Sequence, residues 1–198
     1  MLQSLPMQQY TFNKYFAKKS FLKLFGGEIR IFDENKTNLL FFVKQKAFKL
    51  KEDITVYADE TKTKELLKIK ARSVIDFSAV YDVVDITSNE AIGALRRKGF
   101  KSILKDSWEI LDTKDQVIGS IDEDSMFKAI LRRFLTNLIP QSFFITLNKT
   151  QVGVLKQTFN PFVPQFNIDF SSDNTNALDR RLGIAIVILL QIIEGRQQ

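Results

Sequence analysis

The run Leu182-Gly183-Ile184-Ala185-Ile186-Val187-Ile188-Leu189-Leu190-Gln191-Ile192-Ile193 constrains this chain more than any other stretch of it. Wound as a helix, it is apolar in every direction, with one glutamine near its end. A helix without a polar face sits in a bilayer or is enclosed by protein. These 12 residues reach ~18 Å at the helical rise, and a spanning helix needs roughly 20. The run is therefore expected to be a buried helix. It is read as beginning near Asn176 and Ala177 and continuing to Glu194, with Gly195 as its stop. The rest of the chain has to build a container for it.

What precedes the run is a series of short apolar stretches broken by polar turns, the pattern of strands and hairpins. Five hairpins align on an acidic or amide residue before the turn: Asp33, Asp59, Asp85, Asp112 and Asn148. The first is Glu28 to Asp33 returning as Leu39 to Val43; the second is Ile54 to Asp59 returning as Leu66 to Lys70. Tyr81 to Asp85 returns as Ala91 to Leu95, Trp108 to Asp112 as Val117 to Ile121, and Phe144 to Asn148 as Val152 to Leu155. The spacings are 26, 26, 27 and 36 residues. The last is lengthened by Ser125 to Leu138, where Phe127, Ile130, Leu131 and Phe134 have helical spacing behind a Ser125 cap. Asp or Asn before a turn has a physical cause, because its side chain accepts a hydrogen bond from the backbone two residues on.

Five hairpins give ten strands, and Tyr10 to Phe16 and Gln165 to Phe170 add one each. So many antiparallel strands must close, since open edges invite aggregation. A barrel of more than about eight strands is too wide for its inward side chains to fill. The apolar helix fills it. The fold class is therefore all-β: a closed antiparallel barrel of about twelve strands around a buried C-terminal helix, with residues 1–198 expected to form a single domain.

The chain is similar to the tubby C-terminal-like superfamily, in particular to its phospholipid scramblase and LURP-one-related branch. The likeness runs from about Tyr10 to Glu194. It is carried by the Asp-turn hairpins, by Phe166-Asn167-Ile168-Asp169-Phe170, by Leu178-Asp179-Arg180-Arg181, and by the apolar helix that follows. The resemblance implies a closed barrel around a central helix, and basic loops that bind phosphoinositides in tubby domains. It also departs from the scramblases. Their acidic segment before the Phe-x-Ile-x-Phe strand is replaced by Phe162, Val163, Pro164 and Gln165. Calcium takes 6–8 oxygen ligands, so calcium-triggered activity is not expected. Their cysteine cluster and Pro-rich tail are absent too, leaving a bare domain.

Composition excludes several chemistries. The chain has no Cys and no His among its 198 residues. That rules out a disulfide framework, thiolate or imidazole metal ligands, a Cys nucleophile and a Ser-His-Asp triad. Acid–base chemistry would fall to Asp, Glu, Lys or Tyr. No catalytic constellation is visible, so no enzyme and no cofactor is expected.

The charge balance, Lys+Arg 29 against Asp+Glu 23, leaves +6. Two basic groups stand out. In Leu67 to Arg72 the alternation turns Lys68, Lys70 and Arg72 to one face. Lys44 and Lys46 repeat this pattern, and Lys49 and Lys51 follow. Arg96-Arg97-Lys98-Gly99-Phe100-Lys101, with Lys105 nearby, reads as a basic turn. Each group is either an anion surface or a solvated face whose lysines protect a strand edge. The acidic run Asp122-Glu123-Asp124 and the group Asp169, Asp173 and Asp179 read as helix-flanking charge rather than metal ligands. Phe41, Phe42, Phe143, Phe144 and Trp108 read as barrel core, and Phe159, Phe162 and Phe166 as a lid or a membrane-dipping loop.

The functional expectation is a non-enzymatic module for anionic membrane lipid. Its expected lipid-binding residues are Arg96, Arg97, Lys98, Lys101, Lys68, Lys70 and Arg72. The alternative is a scaffold with a protein partner; a scramblase and a nucleic-acid binder rank below both. No metal is expected, and the location is expected to be cytoplasmic, peripheral to a membrane.

Overall fold

The computed structural model describes residues 8–22, 26–45, 53–75, 78–98, 107–124, 140–158, 160 and 163–193. After a single 3₁₀ turn, Gln8–Tyr10, twelve strands follow: β1 (Lys14–Leu22), β2 (Gly26–Asp33), β3 (Leu39–Gln45), β4 (Ile54–Tyr57), β5 (Glu65–Ile75) and β6 (Ser78–Asp85). Then come β7 (Glu90–Arg97), β8 (Ser107–Leu111), β9 (Val117–Glu123), β10 (Ser142–Leu147), β11 (Thr150–Thr158) and β12 (Gln165–Asp169). Each pairs antiparallel with its neighbours in sequence, and β1 pairs with β12, so the sheet closes without a free edge. The last element is the helix α1, Arg180–Ile193.

The barrel exists because its strands alternate. Tyr15, Ala17, Ile29, Ile31, Phe41, Val43, Val56, Ile69, Tyr81, Val83, Leu95, Trp108, Ile110 and Ile121 face inward and are 2% exposed or less. They meet α1, whose residues from Leu182 through Ile192 are buried on every side. Each buried Ile or Leu contributes about 1.5–3 kcal/mol relative to leaving it in water. At the end of α1, the fully buried Lys19 donates from Nζ to the backbone carbonyl of Gln191 at 2.8 Å. A cation there offsets the negative end of the helix dipole.

All five expected hairpins form, and Asp59, Asp85 and Asp112 act before their turns as anticipated, while Asp33 reaches further along its turn. The Asp33 carboxylate accepts the backbone N–H groups of Thr37 and Asn38 at 2.9 and 3.2 Å. Asp59, Asp85 and Asp112 accept the N–H groups of Thr61, Thr87 and Lys114, each at 2.8 Å. Asn148 and Lys149 turn with φ of 47° and 69°. A second repeat accompanies the first. Just before every one of these turns the register slips by one, after Ile31, Val56, Val83, Ile110 and Ile145. The unmatched residue on the returning strand is Leu40, Leu66, Ile92, Ile118 or Val152, which all lie in the core or packed against it. A bulge adds local twist, and five of them at one end help curve the sheet around the helix. At Gly93, directly after one bulge, φ is 147° and a Cβ would stand 2.5 Å from the Leu111 carbonyl oxygen. Only glycine fits there.

Several boundaries differ from the expectation. β1 begins at Lys14 rather than Tyr10, and β12 ends at Asp169. The helix starts at Arg180 rather than near Asn176, for two reasons. Asn176 has φ of 51°, outside any right-handed helix, and the Asp173 carboxylate holds the N–H groups of Ala177 and Leu178 in a turn at 2.8 and 3.1 Å. Asp179 then caps α1, accepting the Arg181 N–H at 2.9 Å. Phe42 is buried on the outer wall, not in the interior, and Phe144 is half-buried there. Arg30 covers the Phe42 ring at 5.3 Å. The expected helix over Ser125 to Leu138, the Gly195 stop, and Phe159 and Phe162 lie outside the described residues.

If α1 is the core of the barrel, cutting the chain before Ala177 abolishes cooperative unfolding. Ile186→Ala, at a fully buried position, costs about 2–5 kcal/mol. Urea denaturation followed by circular dichroism reads both, and a soluble truncation with a sharp transition contradicts the assignment.

Candidate functional site

The basic stripe keeps its alternation. Lys68 and Lys70 lie on the outer face of β5, between the inward Leu67 and Ile69. Arg72 is the unmatched residue where the β5–β6 register shifts. Two of these three cations have an ion pair among the described residues. Lys68 lies 3.7 Å from Asp53. Arg72 holds two carboxylates at once: its Nε faces Asp82, and its Nη1 donates to Asp115 at 2.8 and 2.9 Å. Both hydrogen-bonded acids push the guanidinium pKa upward, Asp82 most strongly. Lys70 is exposed and stands opposite Asp82 in the register. Elsewhere on the wall, Glu28 takes Arg30 at 2.6 Å and Lys44 at 3.2 Å.

The expected basic turn is partly strand. β7 runs through Arg97, so Arg96 and Arg97 point to opposite sides of it. Arg97 pairs with the inward Trp108, and Arg96 pairs with Glu109 on the outer wall. The β8 pairing places Glu109 between two cations. Its carboxylate accepts from Arg96 Nε at 2.7 Å and lies 2.8 Å from Lys98 Nζ. Burial pushes the Glu109 carboxyl up, but the hydrogen bonds from Lys98 and Arg96 outweigh it and hold it below the ordinary range. The stripe and Arg96 thus share one stretch of outer wall, with β6 between them. Lys101, along with Gly99, Phe100 and Lys105, lies outside the described residues, as do Lys46, Lys49 and Lys51.

Charge is divided along the barrel. The described residues carry 19 of the 29 Lys and Arg and 19 of the 23 Asp and Glu, so together they are neutral. The whole excess of +6 belongs to the remaining stretches of sequence. The antiparallel order fixes which strand ends those stretches join. The aspartate turns and the β12–α1 link occupy one end of the barrel. The six connections β1–β2, β3–β4, β5–β6, β7–β8, β9–β10 and β11–β12 leave from the other, where α1 also ends. Lys98 and Lys19 belong to this second end.

The turn end is acidic, and its acids around the start of α1 are occupied. Arg181 on α1 donates from Nη1 to Asp85 and to Glu90, both at 2.9 Å, and from Nη2 to Asp179 at 2.6 Å. This ties the start of the helix to the β6–β7 hairpin. Asp173 is buried beneath Arg180 at 3.8 Å. Among the described residues no group of three or more carboxylates is placed to hold a metal ion. Among them, too, no helix is long and apolar enough to cross a membrane. The sequence named the cations but not their partners. Asp82, Glu109 and Asp115 all reach the site from strands and turns outside the hairpins that carry the cations they meet.

Asp85 gives this end a pH signature. Burial raises its carboxyl pKa, but hydrogen bonds from Thr87 and Arg181 lower it further, to below the ordinary 3.8. A depressed folded value stabilises the fold above the unfolded value and is lost as pH falls through the folded one. Asp85→Asn is therefore less stable than wild type at pH 7, and the gap closes as pH drops below 3.8. Urea midpoints at a series of pH values read this directly, and a gap independent of pH contradicts it.

A model of the LURP-one-related family matches residues 39–191, from the first residue of β3 into the last turn of α1. No curated protein and no solved structure matches the chain.

Proposed function

The chain belongs to the LURP-one-related family, within the tubby-like superfamily, and on that premise we propose that it is a non-enzymatic module binding anionic phospholipid headgroups at a membrane surface. The observation that carries this reading is the division of charge. Acids of the barrel itself balance its basic residues, and the excess of +6 is confined to stretches that join strands at the end opposite the aspartate turns. A membrane met end-on, at that end, gains about 1 kcal/mol per Lys or Arg brought near it. Arg97 and Lys98 close β7 on this side, and Lys101 follows them in sequence. Lys68, Lys70 and Arg72 on the wall play the smaller part, because Asp53, Asp82 and Asp115 offset them.

A protein-binding scaffold would present an exposed apolar patch. Among the described residues, Val117 is the exposed large apolar side chain, at 53%.

The test is co-sedimentation with phosphatidylcholine vesicles and with vesicles containing phosphatidylserine, at low and physiological salt. Binding to the anionic vesicles alone, weakening as salt rises, is the expected result. Absence of binding at both salt concentrations removes the proposal.

A further inference from the structure

Arg96 and Lys98 leave the same side of β7 two residues apart and close on one acceptor. Arg96 Nε reaches Oε2 of Glu109 at 2.7 Å, and Lys98 Nζ reaches Oε1 at 2.8 Å. Each oxygen of the carboxylate takes one cation, as two oxygens of a phosphate would. The exposures are unequal. Lys98 and Arg96 are 54% and 37% exposed, Glu109 only 14%. The cations therefore face solvent with their counter-ion behind them.

Charge counting separates this cluster from the other ion-paired groups of described residues. Arg72 is shared by two carboxylates, and Arg181 by three. Arg30 and Lys44 meet Glu28 and Glu60, two against two. At Glu109 one carboxylate serves two cations, leaving a net positive charge at the rim of the barrel from which the excess-charge connections leave.

We propose, resting on the membrane reading above, that Arg96 and Lys98 form a phosphate fork whose resident occupant is Glu109. A headgroup phosphate competes with that carboxylate for the two cations, so Glu109 sets the affinity of the site. A ligand that must displace a resident partner binds more weakly by the cost of the displacement. Removing the charge of Glu109 lifts that cost and leaves both cations in place.

The experiment compares Glu109→Gln with Glu34→Gln on phosphatidylcholine vesicles containing phosphatidic acid. Glu34→Gln changes the net charge equally, at an exposed position in the β2–β3 turn at the far end of the barrel. Thermal unfolding confirms that both variants fold. Glu109→Gln is expected to bind about tenfold more tightly than wild type, Glu34→Gln to match wild type, and Arg96→Gln with Lys98→Gln to cancel the gain. Equal binding by Glu109→Gln and Glu34→Gln, with wild type still bound, overturns the fork and leaves the membrane reading standing. A shift of the Glu109→Gln melting temperature by inorganic phosphate, without vesicle binding by any form, keeps the fork and rejects the membrane. No response to vesicles or to phosphate rejects both.

Discussion

Enclosing a helix that has no polar face is the demand on which the rest of this structure depends. From Leu182 to Ile192 every side chain of α1 is buried. A two-layer sandwich covers two sides of a helix; a closed sheet covers them all. Twelve strands supply a circumference wide enough, and the pairing of β1 with β12 removes the last edge. Five bulges at the turn end supply part of the necessary curvature. They do so with apolar residues, Leu40, Leu66, Ile92, Ile118 and Val152, so the distortion adds to the core. The helix is also held at both ends by charge: Arg181 ties its start to Asp85 and Glu90, and Lys19 meets the Gln191 carbonyl near its finish.

Most of the architecture was readable from residues alone, and its physics explains why. Strand alternation and Asp-led turns are local signals, governed by contacts within a few residues. The apolar run excludes alternatives by its length. The misplaced start of α1 had a local cause as well, but one visible only in backbone angles, at Asn176. The 26-residue spacing of Leu40, Leu66, Ile92 and Ile118 was present in the sequence, masked by apolar neighbours that gave no sign which residue lacked a partner. The candidate site was harder. Its cations form obvious runs. Whether a cation is available depends on carboxylates delivered by other strands, such as Glu109 from β8 and Asp115 from the β8–β9 turn. Register across a barrel is a collective property, so no local pattern announces these pairs.

The same pairing shapes the functional account. A net charge of +6 says little by itself; where the uncompensated part resides says more. Wall cations serve the wall: Arg30 covers Phe42, and Arg72 binds β5 to β6 and to the β8–β9 turn. Such surface pairs each contribute little to stability, but they cancel the field that would draw an anionic surface to the side of the barrel. The aspartate turns close the barrel over the start of α1, and the proposed membrane contact falls at the opposite end, from which the six connections leave.

Orientation is therefore the property to measure. The chain contains no cysteine, so single cysteines carrying an environment-sensitive dye can report from chosen positions. Pro140 lies at the connection end, Lys70 on the wall and Ser88 in an aspartate turn, and all three are exposed. With anionic vesicles at low salt, the account predicts a shift to an apolar environment for the dye at 140 and none at 70 or 88. A response at 70 or 88 that equals or exceeds the one at 140 contradicts it.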